Sequence, residues 1–180
     1  MLKLLHKLRS TEGSEIAEAA LVLPLVFMFL LGIVWFGRAF NIYSTITQAA
    51  QQGAVTAARP FCATCGQPSD NWNSTSFPGD TTVENSVFSV MDASSLNRNQ
   101  VEVYFPMVVS CPAPAPPGNC VTTSNNVTIC RSVLLNPSGT TPQCGTIVSF
   151  QYPFQLALPF TSLNMQRIAL KAQAQKRMEN

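Results

Sequence analysis

Six cysteines, one histidine and nine carboxylates are the groups with which this 180-residue chain could do chemistry, and they are unevenly placed. Cys62, Cys65, Cys111, Cys120, Cys130 and Cys144 all follow residue 60, whereas His6 sits in a basic tip with Lys3, Lys7 and Arg9. A Ser-His-Asp or Cys-His constellation needs an imidazole beside its nucleophile, so none can be assembled from the residues after that tip. Asp70, Asp80, Glu84, Asp92 and Glu102 could pair as acid and base, but each reads more simply as a solvated loop or helix-cap carboxylate. A structural zinc site wants a second closely spaced cysteine pair or histidines beside Cys62-x-x-Cys65, and a thioredoxin-like use of that motif wants a surrounding βαβ pattern. The sequence offers neither. The expectation is a protein that is not an enzyme, with no catalytic, cofactor-binding or metal residue and no small-molecule substrate.

An even number of cysteines points instead to disulfides formed in an oxidising compartment. Pairing neighbours in the loops joins Cys62 to Cys65 and Cys111 to Cys120 and leaves Cys130 with Cys144. Each bridge is worth about 2 to 4 kcal/mol to a thin core. Charged residues make up 11% of the chain and the net charge is +2, so no field draws it to nucleic acid. Asn73-Ser-Thr75 and Asn126-Val-Thr128 match the glycosylation acceptor triplet, a pattern that also arises often by chance.

The element that must position everything else is residues 10–59. No charged residue stands between Glu18 and Arg38, and the roughly 19 intervening residues reach about 28 Å as a helix, close to the hydrocarbon thickness of a bilayer. A buried core helix is the alternative, but the remaining segments are too small and polar to wrap it. Trp35, Arg38 and Tyr43 then mark the outer interface, and Pro24 removes one backbone hydrogen bond that a lipid-buried helix can spare. The basic tip holds the amino end in the cytoplasm. Beyond Arg38, the spacing of Ile42, Ile46, Ala49, Ala50, Gly53, Ala54 and Ala57 marks one helical face, with Gln48, Gln51 and Gln52 on the others. This small-residue stripe suits close packing on a sheet, the favoured reading, or on a partner helix. Pro60 ends the helix.

Gly13-Ser14-Glu15-Ile16-Ala17-Glu18, after a short basic leader and before an apolar span, resembles a type IV prepilin-type processing site. The fuller resemblance is to TadE-like proteins of tight-adherence (Flp-type) pilus systems. It is carried by Gly13-Ser14-x-x-x-Glu18-x-Ala20-Leu21-Val22-Leu23-Pro24, by Leu30-Leu31-Gly32-Ile33, by Phe36-Gly37-Arg38-Ala39-Phe40, and on through residues 45–59. One departure is Ala19, where such proteins often carry an aromatic residue. The resemblance implies a pseudopilin-like protein of the bacterial inner membrane that acts in a pilus assembly or secretion system. A prepilin-type peptidase would cut after Gly13, making Glu18 the fifth residue of the mature chain and freeing the Ser14 amine, with which the Glu18 carboxylate of a neighbouring subunit pairs. It further implies the bilayer and other pilus assembly proteins or pseudopilins as partners. A looser likeness to the carboxyl end of such proteins covers residues 150–179.

Residues 60–180 read as a small α+β domain. Residues 61–79 are a Pro-, Ser- and Asn-rich loop, and residues 80–94 are a helix with Val83, Val87, Val90 and Met91 on one face and a capping box between Thr81 and Glu84. Strands are expected at 101–105, 127–130 with 133–135, 147–152 and, by the alternation of Ile168, Leu170, Ala172 and Ala174, at the end of the chain. Residues 111–120 form a Pro-rich excursion that no central strand could contain. Phe150, Tyr152 and Phe154 read as packing residues. The expected organisation is thus a basic cytoplasmic leader, 1–13; a transmembrane and amphipathic helix, 14–59; and an exported antiparallel-sheet domain held by disulfides, 60–180. A membrane-anchored or secreted binding module with disulfide-stabilised loops is the alternative.

The orientation is open to a direct measurement. A reporter active only outside the cytoplasm should work when fused after Arg59, and one active only inside should be silent there; the reverse pattern would overturn the inside-to-outside assignment.

Overall fold

A computed structural model of the chain describes residues 11–60, 77–112, 119–155 and 167–178. They form helix α1 (Thr11–Ala58), helix α2 (Asp80–Ala93), a short 3₁₀ turn (Arg98–Gln100) and four strands: β1 (Asn119–Thr122), β2 (Thr128–Leu134), β3 (Cys144–Phe154) and β4 (Ile168–Arg177). Two compact units result, Met1–Phe40 and Asn41–Asn180.

In the first unit α1 runs through Pro24 without interruption. Its large side chains, including Leu21, Met28, Phe29 and Phe36, are exposed around the helix, which is long and apolar enough to cross a membrane. Arg38 lies 5.8 Å from the Trp35 ring centroid, one helical turn along.

The second unit is built around a sheet of order β1-β2-β3-β4, antiparallel throughout. Ile46, Ala49, Ala50, Ala54 and Ala57 of α1 are buried in the same core as Val83, Val87, Phe88 and Met91 of α2 and Ile129, Val148, Phe150, Tyr152 and Ala172 of the sheet. The small-residue stripe therefore packs on the sheet, as favoured, and on a helix of its own chain as well. A Cβ at Gly53 would stand 2.6 Å from Val87 Cγ2 and 3.3 Å from Val148 Cγ1, so only hydrogen fits between α1, α2 and β3. A second, smaller cluster of Cys130, Val133 and Ile147, with Val108 and Leu135 against it, adds to the packing.

Several expectations need correction. Helix α2 starts two residues earlier than a Thr81 cap requires: Gly79 is its N-cap and offers no side-chain cap bond. Glu84 is buried instead of capping, and it accepts a hydrogen bond from the Asn125 amide. The carboxyl end does stop at Ser94. There Ser95 adopts φ 56°, and the Leu96 and Ser95 amides donate to the Met91 and Asp92 carbonyls at 3.0 and 2.9 Å, a Schellman closure.

Residues 101–105 are not a strand. They meet the sheet through one bridge, in which Glu102 and Gln151 exchange bonds of 2.8 and 2.9 Å just beyond the first residue of β2, Thr128, which pairs with Ser149. The runs at 127–130 and 133–135 are one strand, β2, interrupted between Cys130 and Val133 by a register shift at which Ser132 takes φ 55°. Strand β1, within and after the Pro-rich excursion, was not expected.

The disulfides are Cys120–Cys130 and Cys111–Cys144, not Cys111–Cys120 and Cys130–Cys144. Register decides this. Cys120 faces Cys130 directly across β1 and β2, with Cα atoms 4.0 Å apart. Cys111 donates its amide to Ser132 O and so lies beside β2, near the Cys144 that pairs with Leu134. The 10-residue separation of the first bridge nests inside the 33-residue separation of the second. Cys62 and Cys65, with most of the loop at 61–79, lie outside the described residues.

The expectation of a strand holds for β4, with alternation from Leu170 onward: Leu170, Ala172 and Ala174 are half-buried or buried and Ala169, Lys171, Gln173 and Gln175 are exposed, while Ile168 at the start of the strand is exposed as well.

The Gly53 contact yields a prediction. Gly53→Ala gains about 1 kcal/mol of helix propensity but forces a methyl into a stiff, fully buried valine, which costs about 1 to 3 kcal/mol. The net expectation is destabilisation, and in a Val87→Ala background the same substitution should cost less or become favourable. Denaturation of the four proteins of this cycle checks it; additive effects would show that the contact is not close.

Candidate functional site

Gly13 and Ser14 lie in the opening turns of α1, which begins at Thr11, and Glu18 follows on the same helix. Glu18 is exposed and, among the described residues, has no ion-pair partner. From Ile16 to Leu30 every residue is exposed, so the acid stands at the head of an apolar surface. Farther along, Gly32 and Gly37 have open space where side chains would be, leaving a shallow apolar trough bordered by Phe29, Ile33, Phe36 and Phe40. Such a trough admits the close approach of another helix in lipid, where small residues permit backbone proximity.

Residues 13–55 match the family model described as TadE-like protein. This segment is TadE-like. It takes in Gly13, Ser14 and Glu18, the whole charge-free span and the stripe as far as Ala54. No curated protein and no solved structure matches the chain. The TadE-like segment thus ends within α1, and the rest of the second unit is read from its own residues.

Those residues hold their carboxylates in structural contacts. Asp92 pairs with Arg98, whose guanidinium also lies 5.3 Å from the Phe88 ring centroid. Glu102 pairs with Arg167 at 3.0 Å and accepts from the Gln151 amide at 3.3 Å. Glu84 is held by Asn125, and Asp80 by Arg131. Asp70 lies outside the described residues. The Asn126 amide nitrogen donates to the Val101 carbonyl at 2.8 Å, so in the folded protein this acceptor triplet has its nitrogen occupied by the backbone; Asn73 lies outside the described residues. Tyr152 is buried in the core with its hydroxyl donating to Gln100 Oε1 at 2.8 Å, and Phe150 and Phe154 are buried with it, as expected of packing residues.

Arg131 is the residue that sequence reasoning passed over. It is buried beside the irregularity in β2, with its side chain 5% exposed, and it donates to Asp80 and, at 2.9 Å, to the Pro78 carbonyl. Sheet and α2 are tied there by one guanidinium, and Asp80 in the first helical turn also meets the positive end of the helix dipole. The signal existed: Arg131 is the only charged residue between Glu102 and Arg167. A lone charge in so long a neutral stretch is either functional or a buried anchor.

The two partners should respond unequally to truncation. Asp80→Ala leaves a buried guanidinium without its carboxylate and should cost about 3 kcal/mol, the low end for a broken buried pair because Asp80 is one-third exposed. Arg131→Met leaves an aspartate that water and the helix dipole can still satisfy and should cost about 1 kcal/mol less. Thermal or chemical unfolding of both variants decides the order.

Proposed function

We propose that the chain is a single-pass, pseudopilin-like protein of a TadE-type pilus system, acting in the assembly of adhesive pili by packing and not by catalysis. The observation that carries this reading is the TadE-like match over residues 13–55, in which the processing-site residues and the charge-free helix fall together. On this reading residues 1–13 are a cytoplasmic leader, the apolar part of α1 spans the bacterial inner membrane, and residues 60–180 are exported as a disulfide-bonded domain. The oxidised state of the described cysteines supports the exported placement.

Processing gives the leader and Glu18 distinct roles. Lys3, Lys7 and Arg9 hold the amino end at the cytoplasmic interface, and a prepilin-type peptidase cutting after Gly13 removes them. The shortened helix can then shift along the bilayer normal or dock on a neighbour, with the trough at Gly32 and Gly37 as a contact face. A carboxylate at the edge of hydrocarbon is costly unless paired with a cation. The freed Ser14 amine of an adjoining subunit supplies one, in line with the family resemblance. The partners are other pilus assembly proteins and the bilayer.

Intact-mass or amino-terminal analysis of the protein from its native membrane tests the processing step. A mature chain beginning at Ser14 is expected, with full-length chain accumulating in Gly13→Ala. Glu18→Ala should still be cut but should fail to assemble. Retention of Met1 in the native protein would refute maturation at Gly13, and cleavage near Ala57 would favour a secreted binding module.

A further inference from the structure

The sheet ends in two unlike edges. Strand β1 has four residues, whereas β4 has ten, paired with β3 without a bulge from Phe154↔Ile168 to Gly145↔Arg177. The direction of the free backbone groups of β4 follows from the bridge at Glu102. Because Gln151 uses both its N–H and its C=O on Glu102, it has neither left for Lys171, its partner in β4. In an antiparallel ladder Lys171 must then point its own N–H and C=O away from β3, and so must every second residue. Ala169, Lys171, Gln173, Gln175 and Arg177 thus aim donors and acceptors at the outer edge. The Met178 amide, of the opposite parity, donates to Cys144 O at 3.3 Å, as this alternation requires. Among the described residues no backbone group bonds to that outer edge.

A long, regular edge is a template for another strand, and proteins commonly guard it with cations. Here the cations also select the guest. Arg167, Lys171, Lys176 and Arg177 fall within residues 167–178, which contain no acid. Pairing of two β4 strands would set these charges against one another, and like charges across a ladder are destabilising. The two faces of β4 differ as well. On the core side Ile168 is 49% exposed, and Leu170 and Ala174 are half-buried against the core. On the other side Lys171 and Arg177 are exposed, with the Lys171 ammonium 4.8 Å from the Tyr104 ring centroid.

We propose that β4 is an acceptor edge for an extended segment of another protein whose residues alternate apolar and acidic. The apolar side chains of the guest would cover Ile168, Leu170 and Ala174, its carboxylates would face Lys171 and Arg177, and its backbone would bond to the five outward-facing residues. This surface stands on the geometry of the second unit alone and does not depend on processing at Gly13.

The test uses the full chain in detergent micelles and three ten-residue peptides: valine alternating with glutamate, valine alternating with lysine, and the glutamate peptide scrambled out of alternation. The alternating acidic peptide should bind at least about tenfold tighter than either control, weaken with added salt, and slow amide exchange at Ala169, Lys171, Gln173, Gln175 and Arg177. Gln173→Pro removes one outward N–H while sparing the ladder to β3, and it should reduce binding at least about tenfold with the unfolding temperature little changed. The double substitution Lys171→Glu and Arg177→Glu should shift preference toward the lysine peptide, which keeps the test decisive if the proline variant does not fold. Equal binding of the scrambled peptide would reduce the effect to general electrostatics. Slow exchange of all five amides in the free protein would show the edge already covered by its own chain, and self-association abolished by Gln173→Pro would assign the edge to a second copy. Any of these three results overturns the proposal.

Discussion

At Gly53 three elements converge on a space that holds a hydrogen atom and not a methyl group, with Val87 of α2 on one side and Val148 of β3 on the other. The rest of the second unit follows from this close approach. Because the stripe on α1 is mostly alanine and glycine, the helix comes near enough to the sheet for Ile46, Val83, Val127, Ile129 and Phe150 to be fully enclosed despite the modest number of large side chains. Dispersion contacts fall off steeply with small gaps, so a core this economical depends on backbone proximity more than on side-chain bulk. The placement of α2 is then fixed at both ends, by Arg131 at its start and by the Schellman closure at Leu96, which packs on the same core.

The two parts of α1 show one backbone geometry serving two chemical patterns. Residues 19–37 are apolar on every face, whereas residues 42–57 are apolar on one face with glutamines opposite. The sequence declares this change plainly, since a helix in lipid has no preferred side and a helix on a sheet has one. The TadE-like match extends across the change and stops close to where the stripe does. What the matched residues have in common is therefore a helix with its docking face, and not the sheet on which that face rests.

Legibility elsewhere tracked how local the deciding physics was. The alternation of β4 outweighed the helix propensity of its Ala, Lys and Gln residues, because backbone pairing with β3 and packing of Leu170, Ala172 and Ala174 on the core shared with the helices are worth more than intrinsic preference. The spacing of Thr81 and Glu84 imitated a capping box, but a buried contact with Asn125, 41 residues away, claimed the glutamate. Val101 to Phe105 had strand composition without a free neighbour along its length, so it made one bridge beside β3, just beyond the start of β2. Cysteine pairing was the least legible, since sequence distance is a poor guide to which residues a hairpin register and a crossing segment bring together. Among the candidate site residues, Gly13, Ser14 and Glu18 rest on a resemblance to a prepilin-type processing site, which the fold of the second unit does not bear on. Arg131 could not be assigned its role without knowing that β2 passes the start of α2.

The nested disulfides bear on how such a chain must mature. If the chain is exported as proposed and its cysteines are joined as they appear, then among the four described ones Cys111 meets Cys120 first, and that bond is absent from the native arrangement. The native pattern requires Cys111 to wait while Cys120 finds Cys130, which the short hairpin of β1 and β2 can bring about as soon as residue 130 is out. Only after Cys144 follows can the outer loop close. A thiol left waiting in this way is exposed to mispairing, so correct maturation calls either for a hairpin that zips faster than the oxidant acts or for an isomerase that undoes the first, wrong choice.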